Sequence, residues 1–395
     1  MKYTKFLAYL LTNSLCLAAF IFIVPSVLAQ GEEPQMKQLI ERLQDRSQDK
    51  RLRIATLEET KRLGTRALAA LPALTELLKD PDDDIRKGSA EAIGLIGADA
   101  KAAVPALVEA LQDKNAGVRS NAAFALGKIG PDAKPALPTL AKLLKDTSAP
   151  VRSNAAFALG RSGSDARDYI GDLVDLLSDQ NDSVRKDAAD ALGRIGPEAK
   201  SAVPKLIVLL NDKSVPVRRC AAETLGKMGA DARSAIPALN ESLKDQEFVV
   251  RTYALQSLEK IGIERDAAVK IYIELLKDKS EHIRSYVAEA LGRIGPEAKS
   301  AIPALIDSLK DPDWTVRASS AKCLGKMGSD AKASVPVLIE LLSDQEKIVR
   351  ANSAAALGEM GEAGKVAIPA LSKLTGDQAL LVRMSASESI NKLSK

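Results

Sequence analysis

Arginine recurs at a fixed interval of 33 residues along this chain, at Arg53, Arg86, Arg119, Arg152, Arg185, Arg218, Arg251, Arg284, Arg317, Arg350 and Arg383, each directly after an aliphatic residue. Aspartate keeps the same step from Asp80 through Asp113 and Asp146 to Asp377. Proline keeps it at Pro72, Pro105, Pro138, Pro204, Pro237, Pro303, Pro336 and Pro369. A period of this length without insertions means that each unit is one small supersecondary element that buries its apolar face only by stacking on its neighbours. Length therefore counts repeats rather than globular domains, and the 395 residues are read as one elongated array after an N-terminal leader.

The residues between the markers give each unit two helices. In the unit from Asp99 to Gly130, Val104, Leu107, Val108 and Leu111 share one face of a first helix, with Asp99 in its first turn, where the dipole favours an acid. Pro105 falls inside this helix and is expected to kink it. Asp113 to Gly117 make a turn, and the second helix buries Val118, Ala122, Leu126 and Ile129 before stopping at Gly130. Two units break the pattern: Gly171 stands where proline belongs, and at 259–276 Glu259 replaces glycine while Lys270 replaces proline. A straighter first helix is expected in both. With 46% apolar but only 3% aromatic residues, the core must be built of Ala, Leu, Val and Ile.

The N-terminus differs. Lys2 and Lys5 precede an apolar run from Phe6 to Val24, followed by Pro25 and the small-residue site Val27-Leu28-Ala29 before Gln30, which reads as a secretory signal peptide over 1–29. An uncleaved anchor over residues 6–24 is the alternative, weakened by Thr12, Asn13 and Ser14. Asn13-Ser14-Leu15 lacks the small residue a lipid-bearing Cys16 would need. Without the leader the 56 basic residues lose two, against 52 acidic ones, so the mature chain is nearly neutral and carries no bulk signal for nucleic-acid binding. Cys220 and Cys323 lie about three repeats apart, too far for a disulfide in a stack of this kind.

Pro105, Asp113 and Arg119, spaced by eight and six residues, resemble the HEAT repeat, and the second helix, VRxxAAxALGxIG, is similar to its phycobilisome-lyase type. The likeness covers about residues 51 to 393. It implies an all-α, right-handed α-solenoid of about eleven HEAT-like helix pairs, with residues 30–50 as leader and N-terminal capping helix and 51–395 as the repeat array. Ankyrin repeats share the period but need a TPLHxA-like turn, absent here. Relatives of this type act on bilin chromophores, serve as chaperones for phycobiliproteins, act as scaffolds, or build a di-iron site from repeated His-Glu pairs. A single histidine, His282, excludes the last, and His282 is read as a surface residue in a turn.

A site is local whereas a scaffold is periodic, so the repeated Asp and Arg are read as structural, tying neighbouring turns together. Removal of Arg218 is accordingly expected to strand Asp212. The LGxxG glycines end helices and fit no phosphate loop. Asp82, Asp83 and Asp84 are read as a helix cap. The basic column Lys128, Arg161, Arg194, Lys227, Lys260, Arg293 and Lys326 is interleaved with acids and reads as a solvated rim.

The sharpest local departure lies five residues after each arginine, a column of Glu91, Asp190, Glu223, Gln256 and Glu289 in which two neighbours place Phe124 and Phe157. With Asn121, Lys128, Asn154 and Arg161 beside them they form the candidate protein-binding site, on the helix that lines the concave surface in HEAT-like solenoids. Tyr253 and Tyr286 make a second, weaker pair. The functional expectation is an exported, periplasmic or extracellular, non-catalytic scaffold for a protein partner. No catalytic residue, metal or cofactor is assigned. No nucleic acid is expected, and no membrane contact beyond an uncleaved leader. A bilin lyase or phycobiliprotein chaperone-like activity is the alternative the resemblance implies; export argues against it, because those partners are cytosolic.

Overall fold

The computed structural model describes residues 34–395, so the stretch over 1–29 read as a signal peptide, and the residues just after it, lie outside the described residues. The fold is an all-α solenoid, with no strand among the described residues. These residues fall into two compact units, one ending at Ala238 and the other running Leu239–Lys395. The first unit carries long helices at Lys50–Leu63, Asp83–Ile96, Ala116–Ile129, Ala149–Arg161, Asp182–Ile195 and Val215–Met228. The second carries them at Phe248–Ile261, Glu281–Ile294, Trp314–Met327, Lys347–Gly358 and Leu380–Leu393. Each contains one arginine of the 33-residue column. Residues 34–44 form the short helix that precedes the first of them, burying Leu39 and Leu43 and exposing mainly polar side chains.

Between successive long helices the chain makes a 3-10 segment and then a short α-helix, as at Gly97–Ala103 and Val104–Ala110. Proline does not kink a continuous first helix as expected. Pro105 sits in the first turn of the α-helix, where its missing N–H has no intrahelical acceptor to lose, so the residue starts a helix rather than bending one. The two proline-free units then diverge. Gly171 still follows a 3-10 segment, Gly163–Tyr169, whereas Arg265–Leu275 is one uninterrupted α-helix. The centre of each of these 3-10 segments is a small buried residue, alanine in most and Gly364 in the last. Ala100, Ala133, Ala166, Ala199, Ala232, Ala298 and Ala331 are buried in the centres of the 3-10 segments, and at this step the exception places Arg265, a charged side chain 62% exposed. A charged side chain cannot take that buried place without a large desolvation cost, so Arg265 stays exposed and the helix starts directly.

Most of the long helices end at glycines with positive φ, such as Gly130 at φ 81° and ψ −135°, a backbone region that side chains with a Cβ rarely enter. A second glycine column lets adjacent long helices approach closely: a Cβ on Gly160 would lie 2.6 Å from the Cα of Ala191, and one on Gly325 2.9 Å from the Cα of Ala356. Around these contacts Val118, Ala122, Leu126 and their equivalents are fully buried. Each such leucine contributes roughly 2 kcal/mol of transfer free energy.

The arginines and aspartates form a ladder along each unit. Arg119 donates Nη1 to the main-chain oxygen of Asp113 in its own turn, at 2.8 Å. It donates Nε and Nη2 to the carboxylate of Asp146 in the next turn, at 2.8 and 3.0 Å. The same fork joins Arg86 to Asp113, Arg152 to Asp179 and Arg185 to Asp212 in the first unit. In the second it joins Arg251 to Asp278, Arg284 to Asp311, Arg317 to Asp344 and Arg350 to Asp377. Arg53 reaches Asp80 likewise. This corrects the pairing expected for Asp212: its carboxylate is held by Arg185, while Arg218 takes the Asp212 main-chain oxygen at 2.9 Å. The carboxylates also accept the backbone N–H two residues on, as Asp212 does from Ser214 at 2.8 Å.

Cys220 and Cys323 are free and buried, and burial pushes both thiols up to about 12. For Asp113, Asp146, Asp179, Asp212 and Asp344, burial alone would raise the carboxyl, but the guanidinium and backbone donors outweigh it and hold each below the ordinary aspartate value. A depressed folded-state value stabilises the fold above the unfolded value, near 3.9, and that contribution is lost as pH falls through the folded value. The melting temperature should therefore lose the ladder's contribution progressively below about pH 4, followed by circular dichroism, and Asp212→Asn should make the acid-induced fall shallower. A melting temperature unchanged between pH 5 and pH 2 would contradict this.

Candidate functional site

The face of the long helices turned away from the short ones carries the side chains two, five and nine residues after each ladder arginine. In the first unit Phe124 and Phe157 stack with ring centroids 6.2 Å apart and planes inclined by 21°. They are half-buried rather than freely exposed, because each ring lies over a glycine of the preceding long helix. A Cβ on Gly94 would meet the Phe124 ring at 3.0 Å, and one on Gly127 the Phe157 ring at 2.6 Å. The Lys128 ammonium sits 5.6 Å from the centroid of Phe124, a cation–π arrangement. The rings thus both fill a gap between helices and present an edge to solvent.

The flanking asparagines are tied into the stack. Asn121 donates to the main-chain oxygen of Lys87 at 3.1 Å, and Asn154 to the oxygen and hydroxyl of Ser120 at 3.2 and 2.9 Å. Asn352 repeats this contact on Ala318 at 3.0 Å, so amides in this column join adjacent helices. Arg161 is exposed at the end of its helix. The structure brings the two rings and Lys128 together and gives the asparagines a packing role.

In the second unit the same face opens into clefts that the sequence did not reveal. One, of about 390 Å³, is lined by Lys322, Gly325, Lys326, Asn352, Ala355 and Glu359. A second, of about 220 Å³, shares Lys322 and Lys326 and adds Glu289, Gly292 and Arg293. The missed signal was a deletion: the column that carries Phe124 and Phe157 carries Ala355 here, and an alanine attracts no notice among so many.

Where internal units carry glycine, Glu259 accepts hydrogen bonds from the hydroxyls of Tyr272 at 2.5 Å and Tyr286 at 2.6 Å. Arg293 lies 3.8 Å from Glu259 and 5.5 Å from the Tyr286 ring centroid. Tyr272 itself stands in a column that is leucine in the other units, Leu239 and Leu305 among them. Burial, then the hydrogen bond to Glu259, pushes Tyr286 up to about 12 and raises Tyr272 as well. Tyr286 is thus committed to Glu259 rather than standing as half of an exposed tyrosine pair.

The carboxylates of Asp82, Asp83 and Asp84 lie close together, but Asp82 caps the helix through the Asp84 N–H. Lys50 binds Asp82 and Asp84 at 2.9 and 2.6 Å, and Asn115 binds Asp83. His282 is 75% exposed and stands in the first turn of the Glu281–Ile294 helix rather than in a loop, its ring 6.3 Å from Phe248. The basic rim is laced with acids as expected: Lys134 pairs with Asp165 at 2.8 Å and Lys227 with Glu223 at 3.0 Å.

A profile of HEAT repeats matches the chain in overlapping segments from residues 36–126 to 302–391. The chain belongs to the HEAT-repeat family. No curated protein matches it. Among solved structures, importin beta aligns at 17% identity with a TM-score of 0.63, over 93% of this chain and 59% of that one. Kap121p aligns at 17% identity and TM-score 0.55, over 93% of this chain and 46% of its own. Kap95p, from a complex with RanGDP, aligns at 14% identity and TM-score 0.56, over 92% and 56%. At these identities the likeness concerns the fold.

Proposed function

We propose that this HEAT-repeat protein is an exported, non-catalytic scaffold that binds another protein through the exposed face of its long helices. The observation that carries the reading is the Phe124–Phe157 stack, an aromatic pair with a cation above it in a column otherwise filled mostly by acids and polar residues. Aromatic side chains held rigid at low entropy cost are the usual anchors of protein contacts. Kap95p, which shares the fold, binds RanGDP. The likeness of the long helix to the phycobilisome-lyase type concerns the residues that pack, so it is read as a property of the stacking unit rather than as lyase activity. Export rests on the pattern of Lys2, Lys5, the apolar run over 6–24 and Val27-Leu28-Ala29. Among the described residues no helix is long and apolar enough to cross a membrane.

On this reading, N-terminal sequencing of the expressed protein gives Gln30 as its first residue, and an intact Met1 on a membrane-bound product would replace the cleaved leader with an anchor.

Binding is tested by capture of partners from the envelope fraction. Acids occupy the same column at Asp190 and Glu223, so Phe124→Glu with Phe157→Glu should keep the helical spectrum, with a melting temperature lowered only by the loss of the rings' half-buried contacts over Gly94 and Gly127. Partner binding should weaken by more than about 2 kcal/mol, the scale of an interface hot spot. Unfolding of the double variant would make both rings core residues; a folded variant with unchanged binding would move the site elsewhere.

A further inference from the structure

The two units contain the same socket, once filled and once open. In the first, Gly127 is the floor, Ala158 and Asn154 stand on the next long helix, Lys128 follows Gly127 in sequence and lies over the neighbouring Phe124 ring, and the Phe157 ring occupies the space. In the second, Gly325, Ala356, Asn352 and Lys326 take the same places, but the residue in register with Phe157 is Ala355, which is exposed, and a cleft of about 390 Å³ takes the place of the ring. Asn352 makes the helix-to-helix bond that Asn154 makes, so the walls are set by the same contacts.

The charges around the open socket differ. Lys322 stands in register with Phe124, and Lys322 and Lys326 are both exposed and have no ion pair among the described residues. The one acid on the far wall, Glu359, is already engaged by Lys392 at 2.8 Å. The open socket is therefore cationic, with a floor shaped as the chain shapes it elsewhere for a phenyl ring.

We propose that the Gly325–Ala355 socket binds an aromatic side chain from an acidic segment of a partner protein, the ring seated over Gly325 as Phe157 sits over Gly127, and the flanking carboxylates met by Lys322 and Lys326. This deepens the scaffold reading and rests on it. Ring burial against the glycine floor and a cation at its edge supply the attraction, and the two lysines select acidic over basic flanks.

The probe is the peptide acetyl-Asp-Asp-Phe-Asp-Asp-amide, with acetyl-Asp-Asp-Ala-Asp-Asp-amide and acetyl-Lys-Lys-Phe-Lys-Lys-amide as controls, titrated into the mature protein by calorimetry and examined by saturation-transfer NMR. The aromatic acidic peptide should bind at least tenfold more tightly than either control, with saturation transferred chiefly to its phenyl protons. Ala355→Phe places in the socket the side chain that two other units already accommodate, and should abolish that transfer. Lys322→Glu with Lys326→Glu changes only exposed side chains and should weaken binding at least tenfold; Phe124→Glu with Phe157→Glu should leave probe binding unchanged. Equal binding of the alanine or lysine control, or unchanged binding by a folded Ala355→Phe or by the lysine double variant, overturns the proposal. Partner capture that survives Ala355→Phe but fails with the phenylalanine double variant would reject the socket and leave the scaffold standing, whereas capture untouched by the phenylalanine double variant counts against the scaffold site itself.

Discussion

A guanidinium presents five donors in a rigid fork and can hold two successive turns at once, and the stack depends on that geometry. One nitrogen binds the main chain of its own turn while two others grip the aspartate one repeat further on, as Arg185 does with Asp179 and Asp212. The fork therefore measures the offset between units. An apolar interface of Ala, Leu and Val would tolerate sliding by part of a helical turn, whereas a bidentate pair with side chains only 8% and 9% exposed tolerates very little. Burying such charges is costly, so the ladder is better understood as fixing register than as a large net source of stability.

Once register is fixed, close packing follows. The long helices approach until backbone meets backbone, which only glycine permits at Gly160 or Gly325. Where a unit abandons that glycine, other positions change with it: Glu259, Tyr272 and Tyr286 replace a glycine, a leucine and a residue of the outward column, and both tyrosine hydroxyls donate to Glu259. The side chains five residues after each arginine are less bound by these demands, although Phe124 and Phe157 each cover a glycine of the preceding long helix. That column is where acids, two phenylalanines, a lysine and an alanine alternate, and where both the aromatic stack and the cationic clefts arise.

The fold was legible because stacking repeats its requirements at every 33rd residue, so that eleven arginines predicted eleven long helices. Three things were not. Pro105 looked like a kink because its position in the helix depends on the 3-10 segment before it, and that segment goes with a small buried residue at its centre, of a kind too common to read. The partner of Asp212 was misassigned because an arginine six residues away in sequence competes with one 27 residues away, and only the direction in which the side chain leaves its helix decides. The aromatic pair was visible as a break in period, but its half-burial over Gly94 and Gly127 was not, and the open socket at Ala355 was hidden because it consists of missing atoms.

The central claim is that Arg185 and Asp212 act as one coupled unit joining adjacent repeats. A double-mutant cycle of Arg185→Ala and Asp212→Ala, followed by urea unfolding, measures that coupling directly. The account predicts an interaction free energy of about 1.5 kcal/mol or more, with each single variant costing nearly as much as the pair. Additive losses, with coupling below about 0.5 kcal/mol, would contradict it and leave apolar packing alone to set the register.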